Sequence, residues 1–325
     1  MTSNKASEAK TCLVLSDGRR GIENQALGLA ERFSEICAAD FTVKLQTYHL
    51  QHSAALSALP PKAQLRLARF ELPHCDIAIG CGRQAIAPLL HLKKNRPDVP
   101  TVYVQDPRIS SDHFDLVVAP EHDNVKGGNV ISMIGSPNRM TETKIIGETL
   151  SFAQGLKELS MPRAALLIWG KSKTHHLDQD SHAAHISAAK NLMAAGQSVM
   201  ITTSRRTPEF AVTEWKRFAS DHDRVWLHHG DGPNPYFAFL GGAELILVTE
   251  DSTNMLIEAC ATGKPVYRLP MAGKPGKFQT LYDALETRCD VVPYSGQMDG
   301  QSYDPLDETN RVARDMLETI RQRIC

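Results

Sequence analysis

Hydrophobic and polar positions follow two alternating patterns along almost the whole chain. Short runs of β-branched and apolar residues, typical of strands buried on both faces, are separated by segments with the spacing of amphipathic helices. The predicted strands are 11–16, 41–46, 75–80, 101–105, 115–120, 163–170, 197–204, 223–228, 243–250 and 264–270. The predicted helices lie near 23–37, 60–70, 83–94, 141–157, 180–195, 208–219, 252–262 and 278–287. This order predicts an α/β fold with parallel sheets.

The pattern breaks once, near the middle of the chain. Gly135, Pro137 and Asn138 end the first set of elements, and Pro162 precedes the first strand of the second set. A chain of 325 residues also exceeds the size at which one core usually stops growing. We therefore expect two doubly wound Rossmann-like domains that face a cleft. The predicted boundaries are 1–158 for the first domain, 159–305 for the second, and 306–325 for a last helix that packs back on the body.

Composition excludes several classes of protein. The 36 basic and 37 acidic residues nearly cancel, so the sequence gives no reason to expect a nucleic-acid partner. The first residues lack a signal peptide, and no window approaches the 18 continuous apolar residues of a membrane span. The seven cysteines are odd in number and scattered, which favours a reducing compartment. We expect a cytoplasmic protein.

The most informative stretch is "LVTEDSTNMLIEACATGKP" at 247–265, where a strand ends in polar residues and a helix follows. In parallel sheets, ligands bind at the carboxyl ends of strands, where helix N-termini offer N–H donors. Ser252 or Thr253 is the predicted N-cap, and Glu258 needs hydrogen-bond donors such as ribose hydroxyls. Glu250 and Asp251 would repel a diphosphate unless they turn toward a sugar or toward neighbouring arginines.

Cationic residues follow two other strands of the same predicted sheet. Lys171 lies in "WGKSKTHHLD", which suits a phosphate cradle but lacks the full spacing of a phosphate-binding loop. Arg205 and Arg206 precede a helix that opens at Pro208, where bidentate contacts and the helix dipole both favour phosphate. Each of these cations could instead be a solvated loop residue. Because such polar groups follow several strands of one sheet, we favour a binding site.

The first strand ends in "SDGRRGIENQALGLAE" (16–31), and a helix begins there. Glu23, Asn24 and Gln25 occupy its first turn, where an acidic residue suits the helix dipole. A capped helix is one interpretation of this segment. The three side chains offer more polar capacity than capping needs, so a binding role is the other interpretation.

Together these motifs resemble a GT-B-type glycosyltransferase, and more narrowly the bacterial members of the mitochondrial-fission Elm-type family. The stretches that carry the resemblance are "GRRGIENQALGLAE", "VQDPR", "VVAPEHD", "TTSRRTP", "DGPNPYFAFL" and "VTEDSTNMLIEACATGKPV", which span nearly the whole chain. The resemblance implies the fold and a nucleotide-sugar site more firmly than it implies a reaction.

The resemblance also implies roles for individual residues. Ser252 and Thr253 would bind the diphosphate and Glu258 the ribose, while Arg205, Arg206 and Lys171 would stabilise the leaving phosphate. Lys277 and Gln279, in "GKPGKFQ", would reach the donor sugar. The acceptor-side residues would be Glu23, Asn24, Gln25, Asp106 and Arg108, with Glu23 or Asp106 as the catalytic base. The segment after residue 168 lacks the glycine-rich loop of related transferases, which weakens the assignment of Lys171 and Ser172.

The resulting hypothesis is transfer of a sugar from a nucleotide-diphosphate donor to an unknown acceptor, of the cell envelope or linked to a lipid. Two basic groups near the diphosphate could replace a metal ion electrostatically, so we expect no metal and no cofactor, with the nucleotide sugar as co-substrate. The alternatives are a nucleotide-sugar epimerase on the same fold, or a non-catalytic adaptor that binds a protein partner.

Three further patterns suggest other ligands. "GCGRQA" (80–85), with Asp106 after the next strand, approaches a dinucleotide fingerprint, although it lies in a later strand–helix unit. The histidines of "HHLDQDSHAAH" (175–185) have metal-ligand spacing, but we interpret them as surface residues of a solvated loop. The basic amphipathic segment 60–70 is either a plain helix over the sheet or a peripheral membrane contact, which would place the protein at the inner membrane.

Overall fold

A computed structural model describes residues 9–50 and 58–324 of the chain. The contacts within it define two compact units, Met1–Arg139 with Asp307–Cys325, and Met140–Leu306. The strands are β1 (Lys10–Ser16), β2 (Val43–His49), β3 (Ile77–Cys81), β4 (Thr101–Val104), β5 (Leu116–Pro120), β6 (Val130–Met133), β7 (Arg163–Leu167), β8 (His175–His176), β9 (Ser198–Thr202), β10 (Val225–His228), β11 (Leu245–Thr249), β12 (Val266–Leu269), β13 (Ala272–Gly273) and β14 (Val292–Pro293).

Eleven α-helices connect these strands in the part of the chain that the structure describes. They are α1 (Arg20–Cys37), α2 (Pro61–Leu67), α3 (Arg83–Asn95), α4 (Glu142–Ser151), α5 (Ala153–Glu158), α6 (Gln179–Ala194), α7 (Glu209–Ser220), α8 (Tyr236–Gly242), α9 (Thr253–Cys260), α10 (Phe278–Cys289) and α11 (Glu308–Ile324). None of these described helices combines the length and the apolar character that crossing a membrane requires.

The first unit is a six-stranded sheet with helices on both faces. All of its strand pairs are parallel, and the strand order is β2-β1-β3-β4-β5-β6. Successive residues of β1 point to opposite faces: Cys12 and Val14 pack with Phe33 of α1, whereas Leu13 and Leu15 pack with Leu89 of α3. Both faces of the sheet are therefore buried, which explains why β1 is a continuous apolar run.

The second unit repeats this plan. Its main sheet has the order β10-β9-β7-β11-β12-β14 with parallel pairs throughout, and a separate antiparallel pair joins β8 to β13. In both sheets the strand order reverses direction beside the first strand of the unit, so the crevice at the carboxyl ends of the central strands is where such folds bind ligands. The predicted α/β class with two doubly wound sheets agrees with this topology.

The structure departs from the predicted elements in places where the sequence signal is short. Strand β6 is only half-buried at the sheet edge, and α8 has seven residues flanked by proline and glycine, so neither was predicted. Helix α2 ends at Leu67 rather than at 70 because Ala68 is extended. Its one fully buried residue is Gln64, whose Nε2 donates to the Leu59 carbonyl, so the predicted apolar face does not cover a core.

The segment before residue 159 packs with the second unit, which moves the division of the chain from the predicted 158 to 139. Helix α4 lies against α8 so closely that a Cβ on Gly241 would collide with the Thr149 hydroxyl. Helix α11 packs on α1 and buries Val312, Met316 and Ile320, so the last helix belongs to the first unit.

The interpretation of the 175–185 histidines as surface residues holds for His176, which is exposed, but is wrong for the other three. His175 of β8 is buried, and so are His182 and His185, which lie on the buried face of α6. The ring of His182 meets Trp215 edge-on at 5.5 Å, and His185 Nε2 lies 2.9 Å from the Pro270 carbonyl oxygen. Burial lowers the pKa of His185 to about 4, so its ring is neutral and serves packing.

Gly28→Ala tests the packing of the first unit. Helix α1 passes so close to the backbone of Asn138 that a new Cβ at residue 28 would collide with its carbonyl. We expect a loss of about 1–3 kcal/mol in the free energy of unfolding, the usual cost of overpacking. Thermal unfolding followed by circular dichroism measures it.

Gly147→Ala is the matched control, because Gly147 lies in the middle of α4 with no atom within 4 Å of the new Cβ. This change should raise the free energy of unfolding by about 0.5–1 kcal/mol, because alanine has a higher helix propensity than glycine. Equal effects of the two substitutions would contradict the close approach at Gly28.

Candidate functional site

Side-chain hydroxyls lock together the carboxyl ends of three neighbouring strands in the second unit. Thr249, the last residue of β11, accepts a hydrogen bond from the Trp169 N–H (3.0 Å) and donates to the Leu167 carbonyl (3.3 Å). From the other side, the Ser204 hydroxyl donates to the Trp169 carbonyl (2.6 Å), as does the Thr207 hydroxyl (2.8 Å). The segments that follow β7, β9 and β11 therefore hold one another in place.

Gly170 makes this close approach possible. Its φ of +121° lies in the region that side chains avoid, and a Cβ would lie 2.6 Å from the Thr207 Cα. The glycine of the "WGKSK" motif therefore has a backbone role at the edge where ligands are expected.

Helix α9 begins at this edge. Ser252 occupies the N-cap position and is buried, but its side chain makes no capping hydrogen bond in the described part of the chain. Thr253 is half-buried and Asn254 is exposed. The first turn therefore keeps uncapped N–H donors and a partial positive charge, which is the arrangement that binds anions.

Glu250 is neutralised within the protein. Its Oε1 lies 2.8 Å from Nη1 of Arg268, and its Oε2 accepts from the Met271 N–H (3.2 Å). The Tyr282 hydroxyl donates to the Glu250 carbonyl (2.7 Å), and the Arg268 guanidinium lies over the Tyr282 ring at 4.6 Å. The first of the two carboxylates after β11 is thus paired with a buried arginine.

Asp251 has no such partner. It is 8% exposed, and among the described residues no donor meets hydrogen-bond geometry for either carboxylate oxygen. The Thr249 hydroxyl and the Gly170 N–H are near enough to lower its pKa, but that hydroxyl already donates to Leu167. Burial outweighs these contacts and raises the pKa of Asp251 to about 6.

Glu258 lies further along α9, near its carboxyl end. Its Oε2 accepts a hydrogen bond from the Tyr236 hydroxyl of α8 at 2.6 Å. Burial raises the pKa of Glu258, opposed by the hydrogen bond from Tyr236 and by the positive charge of Lys144. Lys144 Nζ also lies 4.0 Å from the centre of the Phe237 ring, so α4, α8 and α9 converge on this carboxylate.

The Gly-Lys-Pro that follows α9 has a structural role. Gly263 has a φ of +71°, and a Cβ there would lie 2.6 Å from the Tyr303 carbonyl oxygen. Lys264 Nζ donates to the carbonyls of Leu240 (2.8 Å) and Gly241 (2.6 Å) at the end of α8, and burial lowers its pKa to about 8. This lysine fixes α8 against α9 and thereby holds Tyr236 beside Glu258.

The predicted phosphate-binding cations lie on the loops of the same sheet edge. Lys171 is exposed at the base of a hairpin, where it bridges to His176. Arg205 and Arg206 are exposed, and the Arg206 guanidinium carbon lies 5.5 Å from the centre of the Trp169 ring. All three side chains project from segments that the hydroxyl network holds.

The residues predicted to reach the donor sugar lie at the start of α10. Lys277 occupies the N-cap position, and Gln279 donates from Nε2 to Asp283 (2.7 Å). Both side chains are exposed. Strands β8 and β13 pair beside this segment and connect it to the hairpin that carries Lys171.

In the first unit, Glu23 lies at the end of β1. The Ser16 hydroxyl donates to Glu23 Oε2 in a short hydrogen bond, and Nδ1 of His49 lies 3.6 Å from the same oxygen. Glu23 is half-buried and His49 is largely exposed. The predicted base therefore contacts one hydroxyl donor and one imidazole ring.

The remaining predicted acceptor-side residues divide into two groups. Gln25 is buried and accepts from the Gln105 amide (2.8 Å) and the Cys81 thiol (3.6 Å), whereas Asn24 is exposed. Asp106 and Arg108 pair with each other, at 2.7 Å between Oδ2 and Nε. Asp106 also accepts from the Arg108 N–H, so its carboxylate is more fully engaged than that of Glu23.

The other predicted ligand motifs acquire simpler explanations. Gly82 has a φ of +80° and precedes α3, and a Cβ on it would lie 2.8 Å from the Ile22 side chain. Asp106, the acidic residue of the dinucleotide pattern, is held by Arg108. The described residues contain no group of three or more His, Cys, Asp or Glu arranged to hold a metal ion.

Several residues of the site were missed in the sequence. The Tyr236 partner of Glu258 lies in "DGPNPYFAFL", where the short helix left no periodic signal. Thr249 ends β11, and Ser204 and Thr207 follow β9 within five residues, so a search for hydroxyl residues at strand ends would have found them. His49 and Gln105 follow predicted strands but are single polar residues, and only the fold brings them beside Glu23 and Gln25.

Asp251→Asn should stabilise the second unit above pH 6. The raised pKa means that the folded state binds a proton more tightly than the unfolded chain, so stability falls as pH rises from about 4 to about 6 and then stays low. Removing the buried charge should add about 2–3 kcal/mol at pH 7.5 and almost nothing at pH 4.

Urea unfolding followed by tryptophan fluorescence measures this change selectively. All three tryptophans, at 169, 215 and 226, belong to the second unit. Equal effects of the substitution at pH 4 and pH 7.5 would show that Asp251 is not a buried charge in the folded protein.

Comparison of the fold with solved structures identifies nucleotide-sugar enzymes. UDP-GlcNAc 2-epimerase from Methanocaldococcus jannaschii superposes with a TM-score of 0.56 at 11% identity, over 95% of this chain and 99% of that one. The enzyme from Neisseria meningitidis, solved bound to UDP-GlcNAc, gives a TM-score of 0.55 at 13% identity, over 97% and 100% of the two chains. These similarities confirm the predicted GT-B fold class.

Sequence comparison identifies the family. The chain is 25% identical over 265 residues to the mitochondrial fission protein ELM1 of Arabidopsis thaliana, which covers 73% of this chain but only 62% of that protein. It is also 25% identical over 347 aligned positions to an uncharacterized protein of Rickettsia prowazekii, covering 92% and 96% of the two chains. The family model described as Mitochondrial fission ELM1 matches residues 20–320. With the predicted resemblance thus confirmed, the chain belongs to the Mitochondrial fission ELM1 family.

Proposed function

We propose that the second unit binds a nucleotide-diphosphate sugar and that the protein transfers its sugar to an acceptor. The observation that carries this proposal is helix α9. It begins with an uncapped N-terminus at a locked strand end, and Glu258 lies near its other end. One short helix thereby offers donors for phosphate and an acceptor for hydroxyl groups, the two requirements of a ribose diphosphate.

The diphosphate would lie at the N-terminus of α9. The N–H groups beyond Ser252 supply hydrogen bonds, and the helix dipole favours negative charge there. Arg205, Arg206 and Lys171 are exposed on neighbouring loops and would neutralise the leaving diphosphate as its charge develops. Cationic side chains would in this way supply the charge stabilisation for which other transferases use a metal ion, and no cofactor is invoked.

The ribose would bind to Glu258. Its Oε2 is occupied by Tyr236, whereas Oε1 makes no hydrogen bond within the described residues. A carboxylate oxygen in a partly buried position is a strong acceptor for a ribose hydroxyl. Tyr236 would fix the orientation of the carboxylate, so that the ligand does not bear the entropic cost of ordering it. Lys277 and Gln279, at the start of α10, would contact the sugar.

For an inverting transfer, Glu23 would be the catalytic base. The acceptor hydroxyl oxygen attacks the anomeric carbon, the bond from that carbon to the diphosphate oxygen breaks, and the hydroxyl proton passes to the carboxylate. Glu23 is the better candidate because Asp106 is tied to Arg108 by two contacts. Asn24, Gln25 and Arg108 would contact the acceptor.

Two alternatives follow from the relatives. The two solved structures compared above are UDP-GlcNAc 2-epimerases, and each matches this chain over nearly its whole length. Epimerisation of a UDP-sugar is therefore the second candidate activity. The Arabidopsis relative is named for mitochondrial fission, which fits an adaptor that binds a protein partner. An adaptor would keep the fold without needing a free donor site at α9.

Glu258→Gln tests the donor site. Isothermal titration with the diphosphates of uridine, guanosine, cytidine and thymidine should reveal one that binds, and the substitution should weaken that binding by about 10-fold or more through loss of a charge-assisted hydrogen bond. Glu286→Gln, on the exposed face of α10, is the matched control and should leave affinity unchanged.

The same protein assayed with the matching nucleotide sugar separates the alternatives. Release of a changed sugar nucleotide without acceptor would identify an epimerase. If no nucleoside diphosphate binds, both enzymatic candidates fail and the adaptor remains.

We further propose that the acceptor is presented at an anionic membrane surface through α2. The Leu67 side chain is 72% exposed, and Lys62, Arg66 and Arg69 are exposed around it. None of these three cations forms an ion pair with a described residue. Each cation near an anionic surface contributes about 1 kcal/mol, so the expected contact is weak and salt-dependent.

Leu67→Glu should reduce co-sedimentation with vesicles that contain phosphatidylglycerol, because it removes the exposed apolar residue and adds a negative charge beside the cations. Leu150→Glu is the matched control: Leu150 is 69% exposed, on α4 of the other unit, with no cationic residue within four positions of it in the sequence. Binding to vesicles of neutral lipid alone, or equal loss with both variants, would contradict a specific contact through α2.

A further inference from the structure

The anion site proposed at α9 contains an unexplained negative charge. Asp251 lies between the last residue of β11 and the N-cap of α9, and both of its carboxylate oxygens are buried without a hydrogen-bond partner among the described residues. An ionised carboxylate in this position opposes an incoming diphosphate. A protonated carboxyl does not, and it can also donate its O–H.

The groups around Asp251 leave this charge uncompensated. Glu250 is matched by Arg268 at 2.8 Å, so that arginine is already engaged. Tyr282, from α10, interacts with both acidic residues and is neutral, because burial raises the pKa of its hydroxyl. Arg206, on the segment after β9, is the cation that acts on Asp251, and it is exposed to solvent. In the proposed function Arg206 is also a ligand of the diphosphate. Once it pairs with the phosphate, its positive charge would stabilise the ionised form of Asp251 less.

Binding of a diphosphate would therefore change the proton affinity of Asp251. Its pKa of about 6 leaves the carboxyl mostly ionised at neutral pH. A second anion nearby in a low-dielectric site disfavours the charged form and raises that pKa further. Uptake of one proton from solvent then removes the repulsion.

We propose that the site takes up its diphosphate together with one proton, which Asp251 holds. This inference rests on the proposed function, because it concerns the same site. Under this proposal, the protonation state of Asp251 sets the net charge of the ligand that the site can bind. The proposal also gives the buried, unpaired carboxylate a function. Donor binding would accordingly be favoured as pH falls toward 6.

The test is isothermal titration of the intact chain at pH 8 in buffers of different ionisation enthalpy. The probes are the four nucleoside diphosphates of the panel, whose terminal phosphates are ionised at this pH. The dependence of the observed heat on the buffer gives the number of protons taken up per ligand. We expect a value close to one for the native chain and close to zero for Asp251→Asn, which should also bind more tightly at this pH.

Asp223→Asn, at an exposed turn position remote in sequence from α9, is the matched control and should behave like the native chain. A second measurement does not depend on any variant folding. Between pH 7.5 and 8.5, where the terminal phosphate of a nucleoside diphosphate is largely ionised, the dissociation constant of that ligand from the native chain should rise toward tenfold per pH unit.

The outcomes separate the two proposals. Tight binding with no proton uptake and no pH dependence would overturn the role of Asp251 and leave the donor site standing. Absence of binding by every probe would overturn the donor site, and the inference with it. Proton uptake that persists in Asp251→Asn would assign the proton to another group and also overturn the proposal.

Discussion

The candidate site depends on a few hydrogen bonds between hydroxyl groups and main-chain groups at one edge of the second sheet. Thr249, Ser204 and Thr207 all bond to the backbone of residues 167–169, where β7 ends. The main-chain hydrogen bonds between parallel strands stop where the strands end. Without the hydroxyl groups, the loops that follow these strands would be free to separate. With these bonds, the N-terminus of α9 and the loop that carries Arg205 and Arg206 keep a fixed spacing. A rigid spacing is what an anion-binding site needs, because it avoids the entropic cost of ordering loops when the ligand binds.

The second organising feature is the treatment of buried charge. Among the described residues, the side chains of Glu250, Arg268, Glu258 and Asp251 lie within or beside this edge and are largely removed from water, and the first three have clear partners. Glu250 pairs with Arg268, and Glu258 accepts from Tyr236. Asp251 stands apart because neither of its carboxylate oxygens has a hydrogen-bond partner among the described residues, and the groups near it do not outweigh the cost of burial. Proteins seldom keep such a group without a use. The contrast between two adjacent carboxylates, one paired and one orphaned, is the strongest sign in the second unit that a ligand completes the site.

Much of the fold was predictable because long strands and helices carry a periodic signal. The central strands such as β1 and β11 are continuous apolar runs, and the helices that cover them repeat their apolar residues at regular spacing. Short or marginal elements were not predictable. Helix α8 is too brief to show a period, and the buried face of α6 includes His182 and His185, which a pattern of polarity assigns to the surface.

The neighbouring positions of the segments that form the candidate site were predictable, but the contacts among their side chains were not. The strand-end rule correctly singled out the segments after β7, β9 and β11 as neighbours, since the sheet order places these strands side by side. It could not show that Glu250 turns to Arg268 while Asp251 has no partner, because that choice depends on side-chain packing between residues far apart in the sequence. The roles given to Glu23, Ser252 and Glu258 remain predictions, since a shared fold at about 12% identity does not transfer chemistry.

A crystal structure of the protein soaked with uridine diphosphate would test the central claim most directly. The account predicts phosphate oxygens within hydrogen-bond distance of the N–H groups of Thr253 or Asn254, and a ribose hydroxyl on Oε1 of Glu258 with Tyr236 still bonded to Oε2. Nucleotide bound at another place on the chain, with α9 left without a ligand, would contradict it.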